Sequence, residues 1–169
     1  MNDVTHWATV AGLGLASYLI GAVPFGLLVA RLKGVDITKV GSGNIGATNV
    51  FRSVSKPLGI LTFVLDALKG WGPAWFFPRL VQGGDAITAA GPALAVAYAT
   101  LAIVGHTWPV YLKFKGGKGV ATSAGALIGI APAAVGEPGS LVAIVIRLAS
   151  KTKPRVMLRT SLMIRLSSP

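Results

Sequence analysis

Two short segments hold most of the groups able to do polar chemistry. The first reads Gly41-Ser-Gly-Asn-Ile-Gly-Ala-Thr-Asn49 and is followed by Arg52. Gly41, Gly43 and Gly46 let the backbone come close to a ligand. Ser42, Asn44, Thr48 and Asn49 add neutral hydrogen-bonding groups, and Arg52 adds a planar fork suited to phosphate. Taken alone, the segment also reads as a flexible glycine-rich loop. The second runs from Gly105-His-Thr-Trp-Pro109 to Lys115-Gly-Gly-Lys-Gly-Val-Ala-Thr122. Successive N–H groups at Gly116, Gly117 and Gly119 are suited to an anion nest, and a helix N-terminus beyond them adds partial positive charge. Lys115 and Lys118 supply full charges. The Gly-x4-Gly-Lys-Ser/Thr spacing of a nucleotide-hydrolysing loop is absent. The bland alternative is a basic loop touching lipid headgroups.

Asp66 and Lys69 are a third feature. Three residues apart, they share one helix face. In an apolar stretch such ions are paired or functional, so they are either an internal structural pair or a substrate contact. His106 is a candidate general base. It has no carboxylate neighbour in sequence, and its bland reading is an interfacial histidine beside Trp108. His6, next to Trp7, reads as interfacial decoration. With no cysteine, two histidines and five acids along the chain, disulfides and cysteine nucleophiles are excluded and a multi-ligand metal site is not expected.

The elements that position these groups are legible in the composition. Of 169 residues, 53% are apolar and 12% charged, and the mean hydropathy is +0.68; a soluble domain carries about a quarter charged residues. The pattern predicts an all-α, polytopic integral membrane protein. Uncharged or nearly uncharged stretches at 4–30, 57–77, 86–105 and 119–136 predict four full spans, the first kinked at Pro24 and the second containing Asp66 and Lys69. Trp71, Trp75, Phe76 and Phe77 are expected to face lipid or the aromatic belt. The 16 Lys and Arg against five acids give a net charge of +11. Arg31, Lys33, Lys39, Arg52 and Lys56 fall in one connection and Lys113, Lys115 and Lys118 in another, whereas the segment before the first span has none. This alternation places the N-terminus outside and both glycine-rich segments in the cytoplasm; nucleic acid is not the expected partner. Two acid-free loops on one side, each with glycines and a cation, suit a phosphorylated substrate at the interface.

After residue 136 the character changes. Pro138 to Ile146 is a short fifth apolar segment of about 13 Å as a helix, too short for a hydrocarbon core of about 30 Å. Arg147, Lys151, Lys153, Arg155, Arg159 and Arg165 follow without an opposing acid. The expected organisation is a membrane domain over 1–136 and an atypical basic segment over 137–169, either disordered or lying on the membrane surface.

Together, Ser17-Tyr-Leu-Ile-Gly-Ala-Val-Pro-Phe-Gly26, Gly41–Asn49 with Arg52, Leu65-Asp-Ala-Leu-Lys-Gly70 and Gly105–Pro109 through Lys115–Thr122 resemble one family in order and spacing over residues 7 to 135. It is the bacterial membrane acyltransferase that uses acyl phosphate to acylate glycerol 3-phosphate, the PlsY family. The resemblance implies about seven helices, an external N-terminus, a cytoplasm-facing site in the bacterial inner membrane, no cofactor and no metal. It implies that 1-acylglycerol 3-phosphate and phosphate are products, and that an enzyme making acyl phosphate acts upstream. By resemblance, Ser42 and Arg52 serve the active site, and Gly116, Gly117, Lys118 and Gly119 bind the glycerol 3-phosphate phosphate. The family's third cytoplasmic motif, with a histidine, a glutamate and an asparagine, has no counterpart: no His follows His106, no Asn follows Asn49, and Glu137 is the one Glu. Ser140 is the remaining match to a site serine. An internal deletion or frameshift near Gly136 would produce the change. The alternatives to an active acyltransferase are a catalytically impaired family member and a membrane binder or transporter of organic phosphates; repeated halves, frequent in transporters, are absent.

Overall fold

The computed structural model describes residues 3–82 and 90–135, and among these there are helices and no strands. The order is α1 (Asp3–Ala22), α2 (Phe25–Arg31), α3 (Ala47–Ser53), α4 (Lys56–Gln82), α5 (Ala90–Thr107), a 3-10 turn (Val110–Leu112) and α6 (Val120–Val135). The fifth apolar segment, Ser140, the basic tail and the boundary at 136 lie outside the described residues.

The first expected span is two helices. Pro24 has no N–H to continue the ladder, and α1 stops at Ala22. Phe25 N donates to Val23 O at 3.1 Å and Leu28 N to Pro24 O at 3.1 Å as α2 begins. Helix α4 runs 27 residues and contains Pro73 and Pro78. Helix α5 continues two residues past its expected end, which places His106 in its last turn rather than after it. The connection between residues 31 and 56 is not all loop: residues 47–53 form α3.

Small residues set the packing. Gly21 of α1 sits so close to α5 that a Cβ would lie 2.1 Å from Ala102 O, and a Cβ on Gly125 of α6 would lie 1.8 Å from Ala67 O of α4. Backbones this close are typical of helices in lipid, where packing replaces the hydrophobic drive. The distribution of side chains is inverted relative to a soluble protein. Ser17, Thr62, Asp66, Lys69, His106 and Thr122 are buried, while Leu15, Ile60, Leu80 and Leu127 are each about 60% exposed. Phe77 departs from the expected lipid-facing set: it packs edge-on against buried Tyr98, with ring centroids 5.7 Å apart. Two helical runs are long and apolar enough to cross a membrane, Asp3–Arg31 and Gly91–Leu112, and Val120–Ala131 is a shorter apolar helix.

A small apolar core supports the first loop. Leu27, Val29 and Ala30 of α2 pack with Ile37, Ile45 and Val50. That core holds the glycine-rich segment against α4.

Candidate functional site

Asn49 organises the first loop. Its Nδ2 donates to the carbonyls of Ile37 (3.2 Å), Val40 (3.0 Å) and Asn44 (2.9 Å). Its Oδ1 accepts from Ser42 N and Ser53 Oγ, each at 3.1 Å. A Cβ on Gly41 would lie 2.2 Å from that same Oδ1, and the φ of Gly41 is +58°, so the turn needs glycine there. Asn44 Oδ1 accepts from Gly46 N at 2.8 Å, an Asx turn leading into α3. Thr48 and Arg52 are one helical turn apart on α3 and both line the cavity described below. Upstream, the exposed Asp36 accepts from Thr38 Oγ1 at 2.6 Å and lies 3.3 Å from Lys39 Nζ. The Thr38 hydroxyl, above all, holds the Asp36 carboxyl below its ordinary value.

The second loop folds back on the end of α5. Gly116 N donates to Thr107 O at 3.2 Å and Gly117 N to His106 O at 3.1 Å, satisfying carbonyls that a helix end leaves open. These two amides were expected to form an anion nest. They are engaged within the protein instead, because the loop itself caps α5. Gly117 also lies against the Nε2 edge of the imidazole: a Cβ there would stand 2.1 Å from His106 Nε2. Gly119, with φ +75°, starts α6, its carbonyl accepting from Ser123 N at 2.7 Å.

Between the loops, α4 and α5 bring three ionisable groups together. Lys69 Nζ lies 2.8 Å from Asp66 Oδ1, and both side chains are 2% exposed. Lys69 also donates to Val23 O at 2.7 Å. His106 Nδ1 stands 3.7 Å from the same Asp66 oxygen, and it has no hydrogen-bond partner. The carboxylate neighbour that His106 lacks in sequence is thus supplied through space, 40 residues away.

A cavity of about 540 Å³ opens over this cluster. Ser42, Asn44, Thr48, Asn49 and Arg52 line it from the first loop and α3; Lys118 and Gly119 line it from the second loop; Asp66 and His106 form part of its wall. Arg52 and Lys118 have no acidic partner among the described residues. Of the expected site residues, Gly43, Lys115, Gly116, Gly117 and Lys69 do not line it. Ser53, Phe63, Val120 and Ala121 line it and were not singled out from sequence. Ser53 had a signal, since it is four residues after Asn49 on one helix face. Val120 and Ala121 fall inside the quoted Lys115–Thr122 segment but carry no polar side chain, and Phe63, an apolar residue in an apolar run, gave no signal. No group of three or more metal-ligating side chains occurs among the described residues.

The site is a polar, cation-lined hollow walled by apolar helices, the kind of site a membrane protein offers to an anionic headgroup. The comparisons narrow the class. The profile of the family described as Glycerol-3-phosphate acyltransferase matches residues 11–166. A glycerol-3-phosphate acyltransferase of Syntrophotalea carbinolica is 52% identical over 122 residues, covering 72% of this chain and 59% of that protein. One from Dinoroseobacter shibae is 46% identical over 161 residues, covering 95% of this chain and 72% of the relative. Among solved structures, the integral membrane glycerol 3-phosphate acyltransferase PlsY in its glycerol 3-phosphate form superposes with a TM-score of 0.61. It is 42% identical, and the match covers 73% of this chain and 58% of that one. Its lysophosphatidic acid form gives 0.59 at 41% identity. The chain belongs to the glycerol-3-phosphate acyltransferase family and is a membrane protein, with helices and no strands among the described residues. It spans 59% of the Syntrophotalea protein and 58% of the solved structure.

Proposed function

We infer that this chain transfers an acyl group from acyl phosphate to the sn-1 hydroxyl of glycerol 3-phosphate, giving lysophosphatidate and phosphate. One observation carries the reading: Ser42, Arg52 and Lys118, from two segments far apart in sequence, face one cavity whose Arg52 and Lys118 have no acidic partner among the described residues. Such cations in a partly desolvated hollow favour a phosphorylated ligand.

Acyl phosphate is already activated. The glycerol 3-phosphate hydroxyl oxygen bonds to the acyl carbon while the acyl–phosphate bond breaks, and phosphate leaves with the electron pair. The proton goes to His106 or to a substrate phosphate oxygen. The chain's tasks are then positioning and charge stabilisation: Arg52 and Lys118 hold phosphate, Ser42 and Asn44 orient it, and Gly119 keeps Lys118 at the cavity edge. Gly43, Thr48 and Lys115 support the loops that carry these groups. The acyl chain lies along the apolar helix faces. The reaction calls for no cofactor. An acyl-phosphate-producing enzyme supplies the donor.

The same reading includes four spans, α1 with α2, then α4, α5 and α6. It puts the protein in the bacterial cytoplasmic membrane with an external N-terminus and both loops in the cytoplasm, and makes residues 1–136 the membrane domain with 137–169 as a separate basic segment. The deciding experiment supplies purified, detergent-solubilised protein with palmitoyl phosphate and labelled glycerol 3-phosphate, with Arg52→Ala as control. Lysophosphatidate that disappears in the control supports the reading. A folded protein that binds glycerol 3-phosphate without forming product is a binder instead, and flux into sealed liposomes without product makes it a transporter.

A further inference from the structure

Lys69 does not reach the cavity, yet it is among the most deeply buried cations of the described residues, at 4% exposure. A charge placed so deep among apolar helices is costly and needs a reason. Its contacts run in two directions. On one side its ammonium donates to Val23 O at 2.7 Å, a carbonyl at the break before Pro24 that also accepts from Phe25 N at 3.1 Å. On the other side it pairs with Asp66 Oδ1 at 2.8 Å. That oxygen lies 3.7 Å from His106 Nδ1. The opposite edge of the imidazole is covered by Gly117, and the His106 carbonyl accepts from Gly117 N at 3.1 Å. Lys118 follows directly and enters the cavity wall. One residue beyond Lys69, Gly70 packs so tightly that a Cβ would lie 2.1 Å from Thr122 O, at the start of α6. The second loop is thus held from both ends against one turn of α4.

We propose that Lys69 and Asp66 are positioning residues, an ionic latch that runs from the break at Val23–Pro24 through His106 to Gly117 and sets where Lys118 meets the substrate phosphate. The proposal rests on the glycerol 3-phosphate reading of the cavity. It differs from a simple packing role in one respect: the pair acts on one substrate. The latch reaches the loop carrying Lys118 directly, through His106 and Gly117, and the Asn49-centred loop only through the core of α2.

The test uses the Asp66→Asn/Lys69→Met double variant, which removes both charges together and leaves no lone buried ion. The latch predicts a folded protein whose KM for glycerol 3-phosphate rises about ten-fold or more, with the KM for palmitoyl phosphate within about two-fold of the parent. A double variant with both KM values unchanged overturns it, as does an equal rise in both. Two measurements stand apart from turnover, and so separate failure of the latch from failure of the proposed reaction. A spin label at Lys115→Cys, the single cysteine of the chain, should gain mobility in the double variant; an unchanged spectrum counts against the latch. In the unmodified residues 66–69, ¹⁵N-labelled His106, resolved from the one other histidine by His6→Gln, should carry a proton on Nδ1, facing Asp66. A bare Nδ1 overturns the proposal even if the double variant does not fold.

Discussion

Asn49 and Arg52 sit three residues apart on α3 and answer to different forces. Asn49 is 6% exposed and spends both ends of its amide on five hydrogen bonds, four to the first loop and one to Ser53 of its own helix. Asn49→Asp keeps the shape but turns the donor into an acceptor, facing three carbonyls. It should cost about 1–3 kcal/mol or more of stability, read as a lower midpoint of thermal unfolding in detergent. Arg52 holds up no part of the fold in this way. Arg52→Ala should leave the unfolding midpoint within about 1 °C while raising the KM for glycerol 3-phosphate about ten- to a hundred-fold, the worth of one charge-assisted hydrogen bond. Lys118→Ala should behave like Arg52→Ala. Normal kinetics in both variants would remove these loops from the site. The residue types at 41–52 and 115–119 suggest phosphate chemistry from the sequence alone. The division of labour is not legible there, because sequence gives a side chain's donors and acceptors but not which of them the fold consumes. Gly116 and Gly117 make the same point: their amides looked free, and the end of α5 uses both.

Among the elements, the long helices follow from their apolar runs, with errors of a few residues at their ends. Helix α3 was missed for a physical reason. Seven residues are too few for periodicity to register and too short to be stable alone. It is held instead by its neighbours: Gly59 of α4 lies so close that a Cβ would be 2.3 Å from Phe51 Cβ. The glycines of α4 and α6 allow a paired prediction. Gly125→Ala would drive a methyl into the Ala67 carbonyl at 1.8 Å. It should separate α4 from α6 and cost about 1–3 kcal/mol, together with activity, since both helices wall the cavity. Gly72→Ala meets nothing within 4 Å. It should stabilise α4 by about 0.5–1 kcal/mol through helix propensity. Equal unfolding midpoints for the two variants would show that close backbone contact does not govern this packing.

Across the whole molecule, polar groups inside and large apolar side chains outside make sense only if the surrounding solvent is lipid. The distribution of Lys and Arg then makes orientation testable. The chain has no cysteine, so single cysteines report cleanly. In spheroplasts, a membrane-impermeant maleimide should label Val4→Cys, which is 78% exposed, and should reach Lys39→Cys and Lys115→Cys only after the membrane is opened. Labelling of Lys39→Cys and Lys115→Cys from outside, with Val4→Cys protected until the membrane is opened, would reverse the positive-inside assignment. The sequence by itself determined that this is a helical membrane protein with two phosphate-suited loops, since a bilayer selects on length and composition, which are one-dimensional. The tertiary structure decided which of those residues meet. Asp66 and His106 are 40 positions apart, and Lys69 finds its partner at Val23, because these contacts depend on how a break at Pro24 and close glycine packing bring four helices together in space.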